Sequence, residues 1–145
     1  MEVLADINVL LALVDTKHVH HRKSTRWFSG LEAGSKLLIC RIAQMGLLRL
    51  LVNPAVMTSE TLSLREAWAF YGNLIQDPCM FEVKEPDGLQ AIWAGICFDF
   101  GSSPKLVADA YLAAFAISGG FQLVTSDKAF KKFEGLESDC FIFGK

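Results

Sequence analysis

Short, largely apolar runs alternate along the chain with longer stretches whose apolar residues recur every three or four positions. The short runs Glu2–Ala5, Lys36–Cys40, Met80–Val83 and Phe121–Thr125 predict strands, with Cys140–Phe143 a candidate last one. The longer stretches Asn8–Val14, His20–Ala33, Ile42–Leu51, Ser63–Gln76, Asp87–Cys97 and Lys105–Ser118 predict helices. The period is clearest in Ser63–Gln76, where Leu64, Ala67, Trp68, Tyr71, Leu74 and Ile75 share a face. Gly34 follows the second helix, and Asp77-Pro78 stops the fourth because a residue before proline disfavours the helical region. Ser103-Pro104 reads as an N-cap followed by proline at the first helical position, and Gly119-Gly120 closes the helix so opened. Strands separated by helices at this spacing imply parallel pairing through right-handed crossovers. The expected architecture is a three-layer α/β/α domain over residues 1–145 with a central parallel sheet. No repeat, linker or low-complexity segment interrupts it.

Composition narrows the class. Apolar residues make up 52% of the 145, with 11 Phe and 3 Trp, which is ample material for a core without staples. The longest apolar runs, such as Val9–Val14 and Tyr111–Ile117, fall short of the ~20 residues of a membrane span. Met1–Asp6 has no basic segment and carries an acid where a leader would be apolar. Cys40, Cys79, Cys97 and Cys140 are widely spaced and form no C-x-x-C pair. Buried thiols in a reducing, cytoplasmic compartment are the expectation. The net charge of −2 argues against a general electrostatic nucleic-acid binder, though not against an enzyme that touches nucleic acid over a small patch.

Three acids are out of place. Asp6 is the only charge in Val3–Val14, and Asp109 is the only charge in Leu106–Ser126. Burying a lone carboxylate costs several kcal/mol (roughly) unless it is paired or ligates a metal. Asp127 follows the strand Phe121–Thr125 directly, so both Asp6 and Asp127 lie at strand carboxyl ends, where open parallel sheets border their ligand crevice. Asp109 sits near the amino end of its helix, which faces the same edge. Hard oxygen donors in this number suit Mg²⁺ or Mn²⁺. Each acid also has a local alternative. Asp109 can sit in the field of its helix, Asp127 can cap a short helix Lys128–Phe133, and Asp6 can accept from turn amides beside Asn8. Convergence of all three on one edge favours a site.

These residues carry a family resemblance. Leu4-Ala5-Asp6-Ile7-Asn8-Val9-Leu10-Leu11 resembles the opening Asp-x-Asn motif of PIN-domain ribonucleases, and Val107-Ala108-Asp109-Ala110-Tyr111-Leu112-Ala113-Ala114 resembles their late helix motif. Leu123-Val124-Thr125-Ser126-Asp127 is similar to their last acidic strand end, and Cys40–Leu50 to the middle motif of the VapC-like toxins. The match runs from about residue 3 to residue 133, in the family's order. The resemblance implies a Mg²⁺- or Mn²⁺-dependent endoribonuclease that cuts RNA phosphodiester bonds, is dimeric, and is held inactive by a VapB-type antitoxin. It assigns Asp6, Asp109 and Asp127 to the metal and Asn8 and Gln44 to the surrounding catalytic set. Gln44 departs from the family, whose middle motif supplies a carboxylate there. A glutamine can orient a water but adds no negative charge, so the acidic cluster drops from four members to three. The alternative is therefore a weakened or inactive PIN-like module that binds RNA or a protein.

Other features read more simply. His18, His20 and His21 fit a loop and helix start better than a zinc site, since adjacent histidines on a helix diverge. Gly101–Lys105 lacks the spacing of a phosphate-binding loop. Arg41, Arg49, Lys105, Lys128, Lys131 and Lys132 are the candidate contacts for an RNA backbone. A mean hydropathy of +0.32 leaves apolar surface for a homodimer contact and an antitoxin groove.

Overall fold

A computed structural model describes residues 1–136 and the backbone of residues 138–140. The strands are β1 (Glu2–Ala5), β2 (Lys36–Ile39), β3 (Met80–Glu82), β4 (Gln122–Thr125) and β5 (Ser138–Cys140). The helices are α1 (Ile7–Val14), α2 (His21–Ser29), α3 (Arg41–Leu51), α4 (Pro54–Met57), α5 (Leu64–Leu74), α6 (Leu89–Asp99) and α7 (Pro104–Gly119). The sheet order is β3-β2-β1-β4-β5, with every neighbouring pair parallel. Leu4 on β1 stands between Leu38 on β2 and Leu123 on β4. Apolar residues run uninterrupted through Val3–Ala5 and Leu37–Ile39, and all six are buried, as a strand covered on both faces requires.

The strand order fixes the layers. From β1 the chain steps outward to β2 and β3, then crosses back to β4 and β5 on the other side. Right-handed crossovers in opposite directions put helices on opposite faces. Accordingly α1 packs against α2 and α3, and α3 against α5, while α6 packs against α7. The point at which the order reverses lies between β1 and β4, and a crevice opens there at the strand carboxyl ends.

Local chemistry explains most element ends. Ser63 and Glu66 form a reciprocal capping box at the start of α5. Gly120, at φ 70°, ends α7 in the left-handed conformation that a side chain would resist. Ser103 occupies the N-cap of α7 as expected, but its hydroxyl makes no capping hydrogen bond. Helix α2 stops at Ser29 rather than Ala33, with Gly30 as its C-cap and the Gly30 amide shared between the Arg26 and Trp27 carbonyls. The one-turn helix α4, capped by the Asn53 side chain onto the Ala55 amide, has too few residues to show a period in sequence. The last strand among the described residues is Ser138–Cys140, and the rest of the expected Cys140–Phe143 segment lies outside them.

A candidate three-aspartate site

At the switch point between β1 and β4, a cavity of about 410 Å³ is lined by Asp6, Asn8, Asp109 and Asp127 together with Arg49, Asn53 and Lys105. Asp6 is brought there by the register of β1, whose ladder it extends through its amide to the Val124 carbonyl at 3.0 Å. Its carboxylate is held at both ends. Oδ1 accepts from the Ile7 amide at 2.7 Å, capping α1, and Oδ2 accepts from the Thr125 hydroxyl at 2.7 Å. Asp127 caps the short 3-10 turn Lys128–Lys132, accepting at Oδ1 from the Ala129 amide at 2.9 Å. The local roles foreseen for these acids, Asp6 accepting from a turn amide and Asp127 capping a short helix, therefore hold together with their place on one cavity.

Thr125 joins the two acids and was not singled out in the sequence. It is fully buried, donates to Asp6 and accepts from the Asp127 amide at 3.0 Å. A hydroxyl at the last position of an otherwise apolar strand, two residues before an acid, was the available signal. Gly46 on α3 matters for a different reason. A Cβ there would meet Ile7 Cγ1 at 2.8 Å, so only glycine lets α3 approach the start of α1 beside Asp6.

The charges respond to this setting. Burial pushes the Asp6 carboxyl above the usual aspartate range against the pull of its hydrogen bonds, and Asp109 and Asp127 add to the rise. Burial likewise raises Asp109, with Lys105 opposing and Asp127 reinforcing. The Ala129 amide, then Lys105, hold Asp127 below the usual range. Lys105 Nζ lies 3.0 Å from Asp127 Oδ2 and 3.8 Å from Asp109 Oδ2, and chiefly the Asp127 bond holds its own pKa up. The site thus already seats a cation between two of its acids.

Oxygen donors, a cavity of ample size and an ammonium between two carboxylates fit a hard divalent ion. As the side chains stand, no three His, Cys, Asp or Glu residues among those described are close enough together to form a ready cage. A divalent ion here would compete with the Lys105 ammonium for the carboxylates of Asp109 and Asp127. Asn8 lines the cavity and is exposed, leaving the cap of α1 to Asp6.

Gln44 is not brought into this cavity. It is buried, accepts at Oε1 from Arg41 Nη1 at 2.6 Å, and lines a second cavity with Arg41. Of the other basic candidates, Arg49 and Lys105 line the aspartate cavity, whereas Lys132 lies over the Phe100 and Phe133 rings. The histidines stay outside it, with His18 and His20 in ring contact and His21 bonded to the Ala12 carbonyl.

A parallel α/β sheet with aspartates from three distant segments at its switch point is the arrangement of a PIN domain. The PIN domain profile matches residues 3–136, and the chain belongs to this family. It is 44% identical over 139 residues to ribonuclease VapC41 of Mycobacterium tuberculosis, spanning 93% of this chain and 95% of that protein. In fold it is similar to the structure of VapBC2 from Rickettsia felis bound to a DNA fragment from their promoter, with a TM-score of 0.72, 13% identity, and 96% and 98% of the two chains covered. It is likewise similar to VapBC-1 from nontypeable Haemophilus influenzae, with a TM-score of 0.68, 13% identity, and 95% and 96% covered. No helix among the described residues is long and apolar enough to cross a membrane.

Proposed function

We propose that this chain is an endoribonuclease, the toxin of a VapBC-type toxin–antitoxin pair, and that Asp6, Asp109 and Asp127 hold the Mg²⁺ or Mn²⁺ it uses. The observation that carries the reading is the gathering of these acids on one cavity of a PIN domain whose relative at 44% identity is a ribonuclease. A divalent ion there supplies a Lewis acid for the scissile phosphate.

The chain's own groups do the rest. Arg49 and Lys105 offer positive charge to the RNA backbone at the cavity rim. Thr125 and the Ile7 amide fix the direction of Asp6, and the Ala129 amide fixes Asp127. Asp109, with the distant contact from Lys105 as its ion pair among the described residues, completes the set of acids that would hold the ion. Asn8 is placed to orient the attacking water or the substrate. Gln44, tied to Arg41, acts beside the acids and not as one of them.

A VapB-type antitoxin is the proposed protein partner, in line with the VapBC assemblies that share the fold. A homodimer is the proposed assembly, supported by exposed apolar residues such as Leu64, Trp68 and Phe98. The non-catalytic reading retains one supporting observation, the neutral Gln44 in the middle motif. The two separate on end-labelled single-stranded RNA. Cleavage that needs Mg²⁺ or Mn²⁺ and stops with chelator supports the enzyme, and intact RNA under every metal condition supports the binding module.

A further inference from the structure

Beside the aspartate cavity lies a second one of about 420 Å³, and the two share helices α3 and α7. Along α3, Arg41 and Gln44 face the second cavity, and Gly46 and Arg49 face the first. Along α7, Asp109 lines the first, and Tyr111, two residues on, lines the second. The aspartate cavity opens beyond the carboxyl end of β1, and the second beyond those of β2 and β3, which follow β1 in the sheet.

Its walls are polar in an ordered way. Gln44 is only 5% exposed, and its Oε1 is taken by Arg41. Its Nε2 has no protein acceptor among the described residues, so an amide donor is left for the cavity. The same cavity is lined by two carboxylates, each fixed by a tyrosine. Glu85 Oε1 accepts from the Tyr111 hydroxyl at 2.9 Å, and Glu82 Oε2 from the Tyr71 hydroxyl at 2.9 Å. Each keeps its second oxygen for a ligand. The Tyr111 ring, braced edge-on by Trp93 at 5.1 Å, gives an aromatic wall. Amide and guanidinium donors, carboxylate acceptors and an aromatic ring gathered on one cavity are the elements that read an unstacked base.

We propose that this cavity binds the base of the nucleotide next to the scissile phosphate, and that the base is guanine. Guanine alone among the four presents two adjacent N–H donors, N1 and N2, to a carboxylate such as Glu85. On its other edge O6 and N7 accept, which matches Arg41 and Gln44 Nε2. Adenine and cytosine set a ring-nitrogen acceptor beside their amino group, which a carboxylate repels. Uracil offers one ring N–H between two carbonyls. The proposal rests on the ribonuclease reading only for the position of the phosphate.

The test is an NMR titration of the isotope-labelled full chain, without metal, with 5′-GMP, AMP, CMP and UMP, paired with sequencing of RNA fragments cut in Mn²⁺. GMP is expected to shift the Gln44 side-chain amide and Tyr111, with at least tenfold tighter binding than the other three. Cuts are expected beside guanine, and Glu85→Gln should erase both preferences while leaving the melting temperature unchanged. Glu85→Ala, which cannot accept at all, should weaken GMP further. Equal responses to all four nucleotides, or a Gln44 amide that moves only with a protein partner, would overturn the proposal. If RNA stays intact while GMP binds selectively, the ribonuclease reading fails and the guanine pocket stands. If RNA is cut without base preference and GMP leaves Gln44 unmoved, the pocket fails and the ribonuclease stands.

Discussion

Replacing Thr125 with valine removes one hydroxyl and almost no volume, yet that hydroxyl serves both Asp6 and the Asp127 amide. A hydrogen bond to an ionised group contributes about 1.5–3 kcal/mol and a neutral one about 0.5–1.5 kcal/mol. Because Thr125 donates to Asp6, its loss should lift the folded-state pKa of Asp6 further above its already raised position. The sign follows. At low pH, with Asp6 protonated in both proteins, Thr125→Val loses only neutral bonds, about 1 kcal/mol. As pH rises, the wild-type carboxyl ionises first, so the gap widens to roughly 2–3 kcal/mol near neutrality. Urea unfolding of the metal-free proteins at pH 3, below the ordinary aspartate value of 3.8, and at pH 7, with unchanged m-values, measures the two gaps. A loss below about 0.5 kcal/mol, or one equal at both pH values, would refute the claim that Thr125 supports an ionised Asp6.

Three further predictions concern neighbouring positions. Gly46→Ala should cost about 1–3 kcal/mol by overpacking against Ile7, read as a lower urea midpoint. Asp109→Asn should leave the metal-free protein as stable or more stable at pH 7, since burial opposes ionisation of this acid. That gain should vanish below the ordinary aspartate value of 3.8, where the wild type is protonated too, and the variant should lose most of the Mn²⁺-induced rise in Tm. Gln44→Glu should be tolerated within about 1 kcal/mol without metal, because Arg41 already donates to that oxygen, and calorimetry shows whether the new carboxylate tightens Mn²⁺ binding.

The sheet was legible because its interior strands are apolar without interruption and bounded by turn residues. Glu2–Ala5 was read to the residue, and the order of strands and helices predicted parallel pairing. The convergence of Asp6, Asp109 and Asp127 was legible for the same reason, since isolated acids in apolar segments stand out. What stayed hidden depends on side-chain direction. The role of Thr125 comes from a contact across 119 residues of sequence, which periodicity does not carry. The hold of Arg41 on Gln44 and of Lys105 on Asp109 had a signal, because helix residues three or four apart are neighbours. Gln44 was expected beside the aspartates, and its i, i+3 partner Arg41 could have warned that it points into a different cavity.

The central claim is that the three-aspartate cavity cleaves RNA. The most direct measurement is the rate of single-stranded RNA cleavage in Mn²⁺ by the wild type and by Asp6→Asn, with circular dichroism showing that both are folded. The account predicts a metal-dependent rate for the wild type and a fall of at least roughly tenfold to a hundredfold in the variant. Equal rates in two folded proteins would contradict it.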